Sequence, residues 1–240
     1  MSKVLAMVAV LLAGSAFAAT EGEYDQPHND VSDTASLQRG ARYFVNFCLG
    51  CHSAQYVRYS RVAADLGLSE QQLVANLMFT GERTFDTMVN SMRPEDANRW
   101  FGVVPPDMSL LARSRGTDYV YSFLRSFYLS PDRPTGVDNT VLPGTAMPHV
   151  LWELQGFQEA VFEADGNGNP VFERFVRAGQ GLLEPAEFDA VVRDIVNFLD
   201  YISEPIQRER QAIGMKVIAF LLVFLVLAYL LKNEIWKDVE

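Results

Sequence analysis

The stretch Cys48-Leu49-Gly50-Cys51-His52 holds both cysteines of the chain, and a histidine directly follows the second. Side chains three residues apart lie on the same side of a helical turn. Both sulfurs can therefore meet the two vinyl groups of one haem, while His52 presents a ring nitrogen to the iron. The spacing predicts one haem c, covalently bound to Cys48 and Cys51, with His52 as an axial ligand.

Two other kinds of site use a similar cysteine spacing, namely a thioredoxin-like redox pair and half of a zinc site. A redox pair is expected in a βαβ setting, which the flanking sequence lacks. A zinc site needs further ligands, and the only other histidines are His28 and His149. We therefore favour haem attachment.

A chain that only carries electrons needs a second axial ligand, and methionine opposite histidine raises the reduction potential. Met147 is the best candidate, because Gly144 and Pro148 flank it in an irregular segment between helices. His149 is the main rival. For any single methionine, a place in the core is more common than a ligand role. The remaining candidates are Met78, Met88, Met92, Met108 and His28.

Haem propionates are negatively charged and favour arginine partners. Arg113 and Arg115 follow the turn Pro105-Pro106-Asp107 and are the natural candidates. The alternative for each is a solvated helix arginine, and spacing alone favours that alternative.

Two apolar segments differ in length and meaning. Residues 4–13 follow Lys3 and are too short to span a bilayer, so with cleavage after Ala18 or Ala19 they are typical of a signal peptide. A retained N-terminal anchor is the alternative. The segment Ile213–Leu231 is long enough to cross the hydrocarbon core of about 30 Å.

These segments divide the chain into three parts: a cleaved leader at 1–18, a haem c domain at 19–205, and a linker, anchor and short tail at 206–240. Basic residues flank both ends of the anchor, so the positive-inside rule does not orient it. The leader predicts export instead. We expect the anchor in a bacterial inner membrane, with the haem domain in the periplasm and the C-terminus in the cytoplasm.

The net charge of −10 is concentrated in the exported part, where residues 19–212 hold 27 Asp and Glu against 16 Arg and no Lys. Such a surface excludes nucleic acid as a partner, because phosphates need Lys and Arg. It suits a basic protein partner, since long-range attraction raises encounter rates. Surplus acid that merely keeps the domain soluble is the alternative.

Apolar periodicity predicts a mainly helical domain with loop and hairpin insertions. The segment 128–148 is rich in Pro, Gly and Asn and predicts a long loop. Asp165–Pro170 resembles the start of a calcium loop, but Val176 replaces its final Glu, so a β-hairpin turn is the better interpretation. The predicted helices are Leu37–Cys48 capped by Ser36, Ser69–Met78, Thr84–Met92, Thr117–Phe127 and Pro185–Ile202.

Several ordered features together resemble the cytochrome c1 family, the haem subunits of the cytochrome bc1 complex. The haem motif alone is shared by many families, whereas the whole series in this order is much more specific. The series consists of Arg39-Gly40, the haem motif, Gln55-Tyr56-Val57-Arg58-Tyr59, Pro105-Pro106-Asp107-Met108-Ser109, Asp118-Tyr119-Val120, Met147-Pro148-His149-Val150-Leu151 and the anchor that begins at Gly214-Met215-Lys216.

The resemblance implies a cytochrome c-like fold with His52 and Met147 as axial ligands of one haem c. It implies Arg113 as a propionate partner, with Pro105, Pro106 and Tyr119 near the haem. The implied partners are a cytochrome b subunit, a Rieske iron–sulfur protein as donor, a cytochrome c as acceptor, and membrane lipid. The implied reaction is electron transfer within the ubiquinol–cytochrome c reductase of a respiratory chain.

Two other functions fit parts of the sequence. Another membrane-anchored monohaem cytochrome could donate electrons to a terminal oxidase, and co-purifying subunits would distinguish it. A haem-based sensor or ligand-binding enzyme would need an open iron site, so carbon monoxide binding to the native reduced protein would favour it.

Overall fold

A computed structural model describes residues 24–237, so the predicted signal peptide lies outside the described residues. The helices are α1 Thr34–Tyr43, α2 Tyr59–Leu66, α3 Glu70–Asn76, α4 Pro94–Phe101, α5 Leu111–Arg115, α6 Thr117–Arg125, α7 Trp152–Gln155, α8 Pro185–Ser203 and α9 Gln207–Ile235, with a π-helical turn at Phe44–Cys48. The strands are β1 Ala54–Arg58, β2 Thr87–Met88, β3 Phe127–Leu129, β4 Val137–Asn139, β5 Gln158–Ala164 and β6 Pro170–Arg177.

The core forms where α1 packs across α8. The predicted helix over Pro185–Ile202 forms as α8, and Val191, Ile195, Phe198 and Ile202 on one side of it are all buried. Gly40 provides the crossing point, because its missing side chain lets the two backbones approach closely. The long helix thus supports the segment that leads into the haem motif.

Two details of the first helix differ from the prediction. Asp33 rather than Ser36 is its N-cap, and the Asp33 carboxylate accepts a hydrogen bond from the Ser36 amide at 3.0 Å. Its last turn, Phe44–Cys48, is π-helical. This turn ends at Cys48, the first residue of the haem motif.

The predicted helix over Thr84–Met92 is wrong. Asp86 instead accepts the backbone amide of Arg83 at 2.9 Å and closes a turn there. The next residues, Thr87–Met88, pair antiparallel with β1. A long-range strand pairing therefore overrides the local apolar pattern.

The predicted hairpin around Asp165 is confirmed. Strands β5 and β6 pair antiparallel, and the Asp165 carboxylate accepts the amides of Asn167 and Asn169, both at 2.8 Å. The predicted loop over 128–148 is mostly irregular, but it also contains the paired strands β3 and β4. The insertions thus surround the helical core as loops and hairpins.

The apolar C-terminal segment forms the single helix α9, which is long and apolar enough to cross a membrane and has no buried residues. Pro205 separates it from α8. At this junction the Arg210 guanidinium donates to the Glu204 carboxylate at 3.0 Å. The connection between α8 and the anchor helix is therefore short and is bridged by the Arg210–Glu204 ion pair.

Candidate functional site

The cysteine-containing turn has the compact shape that its spacing predicts. The carbonyl oxygen of Cys48 accepts the amides of Cys51 and His52 at 3.1 and 2.8 Å. Both cysteines are unbridged, and both residues are half-buried. Burial raises the pKa of Cys48 to about 12, which disfavours the thiolate that a redox-active pair requires.

His52 is oriented by the turn that contains Pro105 and Pro106. Its Nδ1 lies 2.8 Å from the carbonyl oxygen of Pro106. A carbonyl only accepts, so Nδ1 carries the proton and Nε2 keeps a free lone pair. Burial lowers the pKa of His52, which favours the neutral ring that a metal ligand needs. The donor set of two sulfurs and one oriented imidazole therefore fits a haem c.

The proline turn is itself fixed to the residues after the haem motif. The Asp107 carboxylate accepts the Gln55 amide at 2.9 Å, and the Met108 amide donates to the Ser53 carbonyl at 2.7 Å. These bonds hold the Pro106 carbonyl in place. The spacing of the proline turn in the sequence gives no indication of this clamp.

Asn90 is a site residue that sequence reasoning missed. Its side-chain amide donates to the carbonyl of Cys51, and its backbone amide donates to the Ser53 hydroxyl at 3.0 Å. The contact joins residues 39 positions apart. No motif spacing indicates it, and the segment was predicted to be helical.

Met147 lies half-buried against the same core that Cys48 contacts. Two hydrogen bonds fix the loop that contains Met147. The Asp138 carboxylate accepts the Gly144 amide at 2.7 Å, and Thr145 Oγ1 accepts the Met147 amide at 3.4 Å. Gly144 has a φ of +80°, which a glycine adopts without strain. The loop is therefore ordered, as expected, and the ligand role of Met147 stays a prediction.

His149, the rival ligand, is 7% exposed and stacks on Phe127 with centroids 5.2 Å apart and planes 6° apart. Burial lowers the pKa of His149 to about 4, so its ring is neutral. Phe127 in turn contacts Phe123 edge-on. His149 thus has a packing role at the end of the Met147 loop.

The other methionines and His28 differ in exposure. Met88 and Met108 are buried in the core, and Met78 packs against it. His28 is exposed. Within residues 24–237 no cluster of three or more His, Cys, Asp or Glu has the arrangement of a metal site.

The two candidate arginines lie in different surroundings. The Arg113 guanidinium is 3.7 Å from the Glu204 carboxylate at the end of α8. That of Arg115 lies over the ring of Tyr119, 5.6 Å from its centroid. The structure thus brings Pro106 to His52, and Arg115 to Tyr119, while the haem-packing role of Pro105 and the propionate roles of both arginines stay predictions.

Sequence comparisons connect this geometry to known proteins. A model of the cytochrome C1 family matches residues 24–239. Cytochrome c1 of Allochromatium vinosum is 48% identical, with 100% of both chains covered. A protein of Nitrosomonas europaea named ammonia monooxygenase gamma subunit is 43% identical over 92% of this chain and 90% of its own length. Cytochrome c1 of Rhodospirillum rubrum is 29% identical over 91% of this chain and 84% of its own length.

Proposed function

The chain belongs to the cytochrome c1 family, and on that basis we propose that it is the membrane-anchored electron carrier of a ubiquinol–cytochrome c reductase. It accepts electrons from a Rieske iron–sulfur protein and passes them to a cytochrome c. One observation carries the proposal: the bond between His52 and the Pro106 carbonyl leaves Nε2 free on the residue that directly follows Cys51. The chain alone makes and breaks no substrate bonds.

Each residue of the site has a defined task in this proposal. Cys48 and Cys51 hold one haem c through two thioether bonds, and the bound haem supplies the one-electron chemistry. His52 would bind the iron, with its second ring nitrogen tied to Pro106. Met147 would supply the other protein ligand, which would exclude exogenous ligands and raise the reduction potential.

The remaining site residues would surround the haem. Arg113 and Arg115 pair with the propionates, and Tyr119 packs beside them. Arg113 would then pair with a propionate as well as with Glu204, whose carboxylate lies 3.7 Å from the Arg113 guanidinium. The Arg113 side chain is 62% exposed. Loss of either arginine should lower the reduction potential only slightly, because solvent screens exposed charges.

The anchor and the charge of the domain support the proposed partners. A C-terminal span α9 keeps the haem beside a cytochrome b subunit and the iron–sulfur donor, with the domain in the periplasm and the tail in the cytoplasm. The acidic body suits a basic acceptor cytochrome. Surrounding lipid completes the environment of the anchor.

Mild purification of the full chain from membranes tests this assignment. We expect one covalent haem c per chain, together with a dihaem cytochrome b and a Rieske protein. Co-purification with the polypeptides of a terminal oxidase would contradict it. So would co-purification with ammonia monooxygenase polypeptides, which the name of the Nitrosomonas relative makes a specific alternative.

A further inference from the structure

Glu204 is the residue that directly follows α8, and its backbone forms hydrogen bonds with both helices of the junction. Its amide donates to the carbonyl of Tyr201 at 3.2 Å, near the end of α8. Its carbonyl oxygen accepts the amide of Gln207 at 3.0 Å, at the start of α9. Because only residues 204–206 separate the two helices, Glu204 contacts the end of one and the beginning of the other.

The Glu204 side chain connects the same helices a second time. Both of its carboxylate oxygens accept the guanidinium of Arg210, Oε1 from Nε and Oε2 from Nη2, the latter at 3.0 Å. The carboxylate also lies 3.7 Å from the guanidinium of Arg113 on α5, and α5 packs against α8. A two-point contact between arginine and carboxylate fixes direction as well as distance. One carboxylate thus joins the haem domain to the first turn of the anchor helix.

The surroundings of this carboxylate favour a firm connection. The Glu204 side chain is only 13% exposed, although those of Arg113 and Arg210 are mostly exposed. A single exposed ion pair stabilises little, whereas a bidentate contact or a network of several charges contributes more. The junction has both, since one arginine binds Glu204 at two points and a second arginine lies beside it.

The two sides of the junction differ in how they are held. On the domain side, Ile202 and Ser203 at the end of α8 are buried, and Ser203 Oγ donates to the Leu199 carbonyl at 2.7 Å. On the anchor side, α9 has no buried residue. The direction of α9 relative to the domain therefore depends on the contacts at the junction itself.

The geometry of the junction matters because α8 is long. Its 19 residues span about 28 Å, so a rotation of about 10° at Glu204 would move its far end by about 5 Å. Arg210 lies shortly before Ile213, where the predicted span begins. A loose junction at this place would let the whole domain tilt over the membrane surface.

We propose that Glu204 is a positioning residue that locks the haem domain in one orientation on its membrane anchor, through Arg210 on the anchor and Arg113 on the domain. The lock keeps the haem motif at one height and one angle above the bilayer. A membrane-bound electron donor needs such a constant geometry, and this consequence rests on the proposed function. The lock itself depends only on the junction between the domain and α9.

The orientation of the haem in aligned bilayers tests the lock. The haem-loaded full chain is reconstituted into stacked phospholipid bilayers. Electron paramagnetic resonance of the oxidised haem then measures the angle between the haem plane and the membrane normal, together with its spread. The wild-type chain should give one angle with a narrow spread. Glu204→Gln should widen the spread, because an amide offers only one acceptor oxygen and no charge. Arg210→Gln should widen it to a similar extent, since it removes the other half of the contact.

Two further variants serve as controls. Arg208→Gln removes the same charge from the same helical turn, and it should leave the spread narrow, because the ion pairs of Glu204 within residues 24–237 are those to Arg113 and Arg210. The double variant E204Q/R210Q should be no wider than either single variant, because all three lose one shared contact. An unchanged haem spectrum and urea midpoint for Arg210→Gln, which lies in a helix without buried residues, shows that the domain is still folded.

Two results would overturn the proposal. The first is a spread for Glu204→Gln and Arg210→Gln that equals the spread of the wild type and of Arg208→Gln. The second is a double variant whose spread grows by the sum of the two single effects, because the two residues then act independently. Neither result bears on the electron-transfer role. A wild-type chain without covalent haem, or with other subunits, would contradict the proposed function instead, so the two failures are distinguishable.

Discussion

Replacement of Gly40 by alanine tests the helix crossing on which the haem motif rests. A Cβ added at Gly40 would lie 2.0 Å from the backbone oxygen of Asp194 and 2.7 Å from the Cβ of Phe198. Backbone cannot move aside as a flexible side chain can. The variant must therefore separate α1 from α8.

The size of the separation sets the cost. An ordinary contact of 3.4 Å requires a shift of about 1.4 Å at this point. Asp194 is 6% exposed and accepts Arg39 Nε at 2.6 Å and Ser36 Oγ at 2.7 Å, so the shift would break both bonds. Overpacking costs about 1–3 kcal/mol, and a buried acceptor left unpaired costs about 1–3 kcal/mol more. Because Arg39 is half-exposed, we expect a total loss of about 3 kcal/mol in the free energy of unfolding.

Urea unfolding of the purified full chain, followed by circular dichroism, measures this loss. With a slope of about 1–3 kcal/mol per molar urea, the midpoint should fall by about 1 M or more. Gly166→Ala is the matched control, because a Cβ there meets no atom within 4 Å. Equal midpoints for the two variants would refute the close crossing of α1 and α8.

Three further predictions concern Met147, Asn90 and the acidic surface. Met147→Leu should lower the reduction potential and open the reduced haem to carbon monoxide; a normal potential without carbon monoxide binding would exclude Met147 as a ligand. Asn90→Ala should destabilise the domain by about 1–3 kcal/mol, because the carbonyl of Cys51 loses its donor. It should also lower the fraction of chain that stains for covalent haem. Asn98→Ala, at an exposed position, is the control, and identical urea midpoints and haem staining for the two variants would contradict the role of Asn90. The rate of electron transfer to a basic cytochrome c should fall as ionic strength rises, because salt screens the acidic body; stopped-flow rates independent of salt would count against electrostatic steering.

The sequence predicts best those elements whose signal is long or compact. The apolar side of α8 and the apolar run Ile213–Leu231 within α9 extend over many residues, and both predicted helices form. The haem motif places all its chemistry in five consecutive residues. Its turn can therefore be inferred without knowing the rest of the fold.

Short elements depend on tertiary contacts and were harder to predict. The helix α2 directly follows β1 and has no side-chain cap, so nothing local indicates its start. By contrast, α4 carries a local start signal, because Pro94 at its first position is followed by acidic residues. The strand Thr87–Met88 exists because of its pairing with β1, which periodicity cannot detect.

The supporting residues of the site follow the same rule. The bonds from Asn90 to the haem turn, and from Asp107 to Gln55, join segments that are distant in sequence. The stacking of His149 on Phe127 likewise appears only once β3 is in place. Sequence spacing identified the candidates for chemistry, whereas the residues that position them required the fold.

Reduction of the haem by ubiquinol in the purified complex tests the central claim most directly. On addition of ubiquinol, the c-type absorbance of this chain should show reduction, and added cytochrome c should reoxidise it. Removal of the Rieske protein should abolish the reduction, while the spectrum of the haem stays unchanged. A haem that remains oxidised with cytochrome b and the Rieske protein present, or that is reduced equally fast without the Rieske protein, would contradict the proposed role.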